Sequence, residues 1–429
     1  MKQQDLLEVE ASIYGMKIGT MIMHQNRIYF EYDKVFITKD IEISPLKLNT
    51  KQIDIPYTNK DSFEMYQGMP GVFFDSLPDK HGMPFIYRYF EQKGFSVGDV
   101  TLLHKLTFIA DRGLGAIEYK PKQQQKIRQI EDVISVKSLH EDMRKILEKD
   151  QHNYSIDMLM NIIDSASPVG GARPKMLISY NKDTKQIKYN NKTLDNGYTR
   201  AIIKFDEVYP DEDSIDRSID LTKLEYIYMC MAKECDIDTS IIHLHEEDTQ
   251  NHLVIERFDR DNQDNKIHVC SASGLMHKDI SVANVMSYEE LFAFTNKICS
   301  KQADVKELYK RMIFNALSFN VDDHAKNFEF MMNKYGDWSL SPAFDITYSK
   351  GAVRAHITSI NGKNEHFVID DFLSIAKKNL ISEKEVLKII DTISNKLLEF
   401  GQRARKLNID ENTILECEEN IKQQRSFLY

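Results

Sequence analysis

The sequence predicts an α+β protein of two lobes, preceded along the chain by a β-rich unit. Three observations carry this. Short alternating apolar runs crowd residues 9 to about 120, the following stretch mixes strand-like runs with amphipathic helix, and beyond the polar loop Asp261–Asn265 the apolar positions recur at helical spacing. The boundaries implied are 1–120 for the β-rich N-terminal subdomain, 121–265 for the mixed lobe and 266–429 for the mainly helical lobe. Hydrophobic residues make up 42% of the 429, enough for a substantial core.

Taken in order, Val9–Tyr14, Lys17–Met23 and Arg27–Tyr32 read as strands separated by turn signals. The run Gly68 to Asp79 holds two Pro and two Gly among apolar residues and reads as a packed loop, in which Asp75 and Asp79 serve turns or caps rather than catalysis. A short helix follows at Met83–Lys93, then a glycine turn at Gly113-Leu114-Gly115 before the strand Ala116–Tyr119. Lys120–Gln129 is a charged connector, and Val133–Lys149 an amphipathic helix. Met176–Tyr180 and Tyr198–Phe205 read as strands, Leu221–Cys235 as an amphipathic helix, and Thr239–His245 with Asn251–Phe258 as a hairpin. His243 and His245 alternate onto one strand face. No third ligand lies nearby, so exposed strand positions are favoured over metal binding. Ser287-x-x-Glu290 and Ser382-x-x-Glu385 open helices, and Gly401 is read as the stop of the second.

A formal net charge of −10 argues against strong nucleic-acid binding by the chain alone, so any DNA contact is expected through a basic partner. The five cysteines form no C-x-x-C pair, which points to reduced thiols and a cytoplasmic protein. No run approaches the ~18 apolar residues of a membrane span, and no signal region is evident, so no membrane partner is expected.

The chemistry centres on Asn320-Val321-Asp322-Asp323-His324-Ala325-Lys326-Asn327. Asp322 and Asn327 stand in the D-x-x-x-x-N spacing of a kinase catalytic loop, where the Asp orients the attacking hydroxyl and the Asn holds magnesium. Two strands, Phe328–Met332 and Trp338–Leu340, turn around Gly336-Asp337 and lead to Ser341-Pro342-Ala343-Phe344-Asp345. A hairpin brings its ends together, so Asp345 is expected beside Asn327. Any one of these residues is also an ordinary loop residue; the ordered set is harder to dismiss.

Upstream, Gly170-Gly171-Ala172-Arg173-Pro174-Lys175 could bring backbone N–H groups and an ammonium to phosphate oxygens, although it matches no named phosphate loop and an ordinary turn explains it equally well. Lys204 sits in an apolar strand, either pointing out on a polar face or holding phosphates paired with a helix carboxylate. That carboxylate would be Glu225. The local pattern Thr222-x-x-Glu225 is also a capping box, and on that pattern alone the cap is preferred.

Taken together, these residues resemble the HipA family of bacterial serine/threonine kinases, the toxin half of HipA–HipB toxin–antitoxin systems. The resemblance spans roughly residues 10 to 400. It rests on Phe30-Glu31-Tyr32-Asp33 with Ser44-Pro45-Leu46, Gly71 to Asp79, Gly170 to Lys175, Ile203-Lys204, Glu256 to Arg260, Asp322 to Asn327 and Ser341 to Asp345. It implies a two-lobed protein-kinase-like fold that uses ATP and Mg2+, with Asp322 catalytic and Asn327 and Asp345 on the metal. It also implies Lys204 on the phosphates, Glu256 and Phe258 at an adenine-binding hinge, and Gly170, Gly171, Lys175 and His324 among the nucleotide-binding residues. Glu225 is implied as the structural partner of Lys204. The implied partners are a HipB-like helix-turn-helix antitoxin, through which alone DNA is met, and a protein substrate such as an aminoacyl-tRNA synthetase. Many family members carry a serine close before the glycine pair that becomes autophosphorylated. Here Pro168-Val169 occupies that place, and Ser167 or the more distant Ser165 are the candidates.

Two rival readings remain. Asp322, Asp323 and His324 could ligate a hydrolytic metal, which leaves Lys204 and the glycine loop unexplained. Alternatively the fold could serve as a catalytically weak antitoxin-binding module or corepressor, against which stands the complete catalytic set.

Overall fold

The computed structural model describes residues 7–428 apart from 52–55, 79–81, 122–132, 148–174, 191–192, 206–219, 249, 283 and 350–353. The first strands form as their alternation requires. β1 (Glu8–Ile13), β2 (Met16–His24) and β3 (Arg27–Tyr32) pair antiparallel, and β4 (Ile117–Lys120) adds to the free side of β1, giving the order β3-β2-β1-β4. Both hairpin loops have two residues at positive φ, Tyr14-Gly15 and Gln25-Asn26, the backbone that matches the strands' twist. Ile28, Phe30 and Tyr32 point inward from β3. Gly19 lies opposite them, where a Cβ would stand 2.2 Å from the Glu31 carbonyl oxygen and 2.6 Å from the Phe30 ring.

The second sheet runs β6-β5-β7-β9-β8, built from β5 (Lys175–Asn181), β6 (Gln186–Tyr189), β7 (Thr199–Lys204), β8 (Ile242–Glu247) and β9 (Gln250–Glu256), all antiparallel neighbours. Helix α1 (Leu221–Glu234) packs on β9 through a buried face that includes Leu224, Tyr228 and Met231. His243 and His245 do share a face, both against the Tyr180 ring, but they are not exposed. His245 is buried and His243 bonds Glu256, because Tyr180 of β5 covers that face.

A third, small sheet joins the lobes. β10 (His268–Ser271) pairs with β11 (Glu329–Met332), which turns at Gly336 (φ +92) into β12 (Trp338–Leu340). The rest is helical. α2 (Tyr288–Ile298) starts from the capping box of Ser287 with Glu290, and α3 (Gln302–Ser318) runs through the core. α4 (Glu383–Leu397) is capped by Ser382 accepting from the Glu385 N–H. Gly401 is not its stop. It lies inside the next helix, α5 (Phe400–Lys406), where the Glu418 and Arg405 side-chain ends approach its Cα.

The N-terminal unit is bolted to both lobes by buried polar contacts. Asp75 accepts from Ser271 N–H at 2.7 Å and Ser271 Oγ at 2.6 Å, and Gly71 N–H donates to His277 Nε2 at 3.0 Å. Arg257 donates to the Gly113 carbonyl, and Gly115 N–H donates to Asp259 at 2.8 Å.

Candidate active site

Lys204 ends β7 and is buried, so its charge must be met inside the protein. Its Nζ donates to Glu225 Oε1 at 2.6 Å and to Asp345 Oδ1 at 2.5 Å. Burial alone would lower the pKa of this ammonium, but the carboxylates of Asp345 and Glu225 outweigh it and hold the pKa above its ordinary value. This corrects the capping-box reading. The N-cap of α1 is Asp220, without a side-chain cap bond, while the Thr222 hydroxyl donates to the Asn251 carbonyl at 2.6 Å. Glu225, its side chain 1% exposed, is spent on Lys204 instead. Glu225 lies 21 residues beyond Lys204 with no hairpin joining β7 to α1, and only the packing of α1 on the sheet brings the pair together.

The catalytic-loop candidate follows α3, whose last turn closes with Phe319 in the left-handed region (φ +59). Asn320 Nδ2 then donates to Asn315 Oδ1 at 2.9 Å, fixing the loop's entry. The Asp322 side chain is 46% exposed, with His324 Nε2 at 3.8 Å. His324 thus sits beside Asp322 rather than on the wall of the slot described below. Asn327 Nδ2 donates to the Asp322 carbonyl at 2.8 Å, which turns the amide's own oxygen outward from that bond. Ser341 N–H donates to the Glu329 carbonyl at 3.0 Å, so the chain leaves the β11–β12 hairpin beside its entry and reaches Asp345 four residues on.

The neighbouring Asp323 does something the sequence did not signal. It is fully buried and accepts four hydrogen bonds: from Ile357 N–H and Thr358 N–H, both at 3.0 Å, from His356 Nδ1 at 3.0 Å, and from Tyr288 OH at 3.1 Å. Thr358 Oγ1 closes the contact on the Asp323 carbonyl at 2.5 Å. Asp323 and Asp322 therefore face different ways, one into the core and one outward. The hydrolase reading, which needs Asp322, Asp323 and His324 to converge, does not fit this geometry.

Between the second sheet and the small third sheet lies a slot with Lys204 and Asp345 at one end. Ile202, Ile255, Phe258, Val269 and Phe344 make its apolar walls, and Leu114 reaches it from the N-terminal unit. Phe258 and Phe344 lie with ring centroids 5.8 Å apart. Glu256 holds His243 at 2.8 Å, and Lys175 opens β5 directly across from Lys204. Burial would push the Asp259 carboxyl up, but Arg257 and Arg260 hold it down at about 2. Burial, with the Asp75 and Asp259 carboxylates nearby, drives the Glu329 carboxyl well above the usual range. Gly170, Gly171, Ser165 and Ser167 lie outside the described residues.

The set also meets what a magnesium ion bound with a nucleotide requires. Such an ion takes only one or two protein oxygens, the rest coming from phosphates and water. The Asn327 amide oxygen and the Asp345 carboxylate, its side chain 23% exposed, are donors of that kind.

By architecture this is a protein-kinase-like protein, a five-stranded antiparallel sheet with one packed helix over a helical lobe, with the polar loops at their junction. Comparison with known proteins then places it. A family model described as the HipA-like C-terminal domain matches residues 167–399, more than half of the chain, and the chain belongs to that family. The structure of Shewanella oneidensis MR-1 HipA, solved with HipB and operator DNA, superposes over 97% of this chain and 96% of that one at TM-score 0.67, with 16% identity. That likeness establishes the fold. A Haemophilus influenzae protein named "Putative kinase" is 31% identical over 109 residues, which are 23% of this chain and 32% of that protein's length.

Proposed function

We propose that this protein is a serine/threonine protein kinase that uses ATP and Mg2+ and works as the toxin of a HipA–HipB-type pair. The observation that carries the reading is the buried Lys204 held between Glu225 and Asp345. A lone ammonium shared by two carboxylates can exchange one of them for a phosphate oxygen. The other, Glu225, keeps it aimed into the slot. The apolar walls beside Glu256 and Phe258 suit an adenine ring, and the sequence resemblance assigns Gly170 and Gly171 to the phosphates.

In the proposed reaction a serine or threonine Oγ of the substrate forms a bond to the γ-phosphorus. The bond from that phosphorus to the ADP oxygen breaks, and the hydroxyl proton passes to Asp322. Asp322 suits the part because its carboxylate is exposed while its backbone is held, by Asn327 on its carbonyl and by the buried Asp323 next in the chain. Bound magnesium, on Asn327 and Asp345, would supply neutralisation of phosphate charge. Lys204 binds and orients the phosphates, and most of the rate enhancement comes from such positioning and electrostatics.

The same reading includes a basic helix-turn-helix antitoxin that supplies the DNA contacts, as the net charge of −10 favours. It also includes an aminoacyl-tRNA synthetase as the substrate class, self-phosphorylation at Ser167 or Ser165, and the division of the chain at 120 and 265. No helix among the described residues is long and apolar enough to cross a membrane. The test is transfer of labelled γ-phosphate to protein by the purified chain with magnesium, and its loss on chelation.

A further inference from the structure

Nearly every polar side chain on the slot wall is already engaged. Glu256 holds His243, Asp259 holds Arg257 and Arg260, and Lys204 holds Glu225 and Asp345; Lys175 also has a partner. Glu329 is the exception. Among the described residues, no group donates a hydrogen bond to its carboxyl.

Its placement follows from register. Glu329 opens β11 directly opposite Ser271 of β10, and paired residues share a face. On that face Ser271 Oγ bonds Asp75, and Val269, two residues earlier, lines the slot. Glu329 thus stands between Asp75 and the slot. The charged groups around it are Asp75 of the N-terminal unit, Asp259 of the segment after β9, and Lys326 of the loop before β11. Two of these three are acids with donors of their own, and neither offers Glu329 a hydrogen. Water can meet a partly buried carboxyl in such company, but a ligand that fills the slot and displaces that water must supply the donor itself.

We infer that Glu329 is a specificity-determining residue of the slot, whose carboxyl accepts a hydrogen bond from a donor on the nucleoside: the exocyclic amine of adenine or a ribose hydroxyl. This rests on the nucleotide reading of the slot and says what its floor recognises. A carboxyl accepts hydrogen bonds whether or not it carries a proton, so the argument does not turn on its charge. The aliphatic and aromatic walls grip any flat ring. An acceptor placed among them rejects an analogue lacking the matching donor, because its oxygen is then left buried and unpaired. The apolar setting favours the base amine over the sugar.

The experiment is calorimetric binding to the full-length protein, with ATP, purine riboside triphosphate (no exocyclic amine) and 2′-deoxy-ATP as probes. Wild type, Glu329→Gln and Glu329→Met are compared. Wild type is expected to bind ATP about tenfold more tightly than one of the two analogues. Glu329→Met should bring that ratio to within about twofold, and Glu329→Gln should keep most of it, because an amide oxygen still accepts. Collapse in the purine riboside arm assigns the amine; collapse in the deoxy arm assigns the ribose. Ratios in Glu329→Met equal to wild type in both arms would overturn the inference while leaving the slot a nucleotide site. Failure of wild type to bind ATP at all would overturn the proposed function with it.

Discussion

Lys204 and Asp322 make an instructive pair. Both lie in the proposed active site, and they are held by opposite means. Lys204 is buried and gripped through its charge, by Glu225 at 2.6 Å and Asp345 at 2.5 Å. Asp322 has its carboxylate partly open to solvent and is gripped through its backbone, by Asn327 on its carbonyl and by the buried anchor of the next residue, Asp323. A group that must hold a polyanion needs partners it can trade. A group that must take a proton needs a carboxylate that solvent and substrate can reach, in a fixed place. The contrast predicts that stability and chemistry separate along the two arms.

Lys204→Met should break the charged arm most severely. It leaves the Glu225 and Asp345 carboxylates without their cation, at a cost of about 3–5 kcal/mol on denaturant unfolding. Glu225→Gln should cost less, about 1–3 kcal/mol, and weaken ATP binding by misplacing the ammonium. If Glu225 served only as a cap, its replacement would lower stability by about 1 kcal/mol and leave nucleotide affinity alone.

Asp323→Ala tests the backbone arm. It strips Thr358 N–H, His356 and Tyr288 of their acceptor and leaves Ile357 N–H only the Val321 carbonyl, so about 2–4 kcal/mol of stability should go, together with a ten- to hundredfold loss in kcat. ATP affinity should stay within about twofold of wild type, because the donors to Asp323 are Tyr288, His356, Ile357 and Thr358 and not the ammonium. Asp323→Asn, which keeps an acceptor for the backbone N–H groups, should restore part of both losses; equal damage by Ala and Asn would count against the anchoring role.

Asp259 gives the comparison a pH axis. Its folded carboxyl lies at about 2, below the 3.8 of the ordinary group, because Arg257 and Arg260 favour the charged form over the effect of burial. A lowered folded value means stability present above pH 3.8 and lost as pH falls toward 2. The linked contribution is about 2 kcal/mol near neutrality. Stability of wild type minus that of Asp259→Asn, followed by denaturant titration from pH 6 to about 2.5, should therefore shrink with acid; a constant difference would show that the pair is not the source.

The smallest effect on stability should come from Asp322→Ala. With its side chain 46% exposed, Asp322 should lose its carboxylate for about 0.5 kcal/mol or less, read as a nearly unchanged melting temperature.

What could be read from the sequence follows the range of the contacts. The Asp322–Asn327 spacing, the hairpin and Asp345 all fall within 24 residues, so turn and strand patterns suffice to assemble them. The first strands and the Ser287 and Ser382 caps were legible for the same reason. Glu225 was ambiguous because one local pattern fits both a cap and a charge partner, and only the position of β7 against α1 decides. Asp323 and Glu329 carried no usable signal. Their meaning depends on Ile357, Thr358 and Asp75, which no spacing rule connects to them. Gly401 shows the reverse error, a local stop signal at a residue that lies inside the next helix.

The central claim is that the site transfers phosphate and that Asp322 does the proton work while Lys204 does the holding. The most direct test measures labelled phosphate transfer and ATP affinity together, in wild type and Asp322→Ala, with magnesium present. The account predicts transfer by wild type, a loss of about 10³-fold in Asp322→Ala, and ATP affinity unchanged within about twofold. Equal transfer by the two proteins would contradict it.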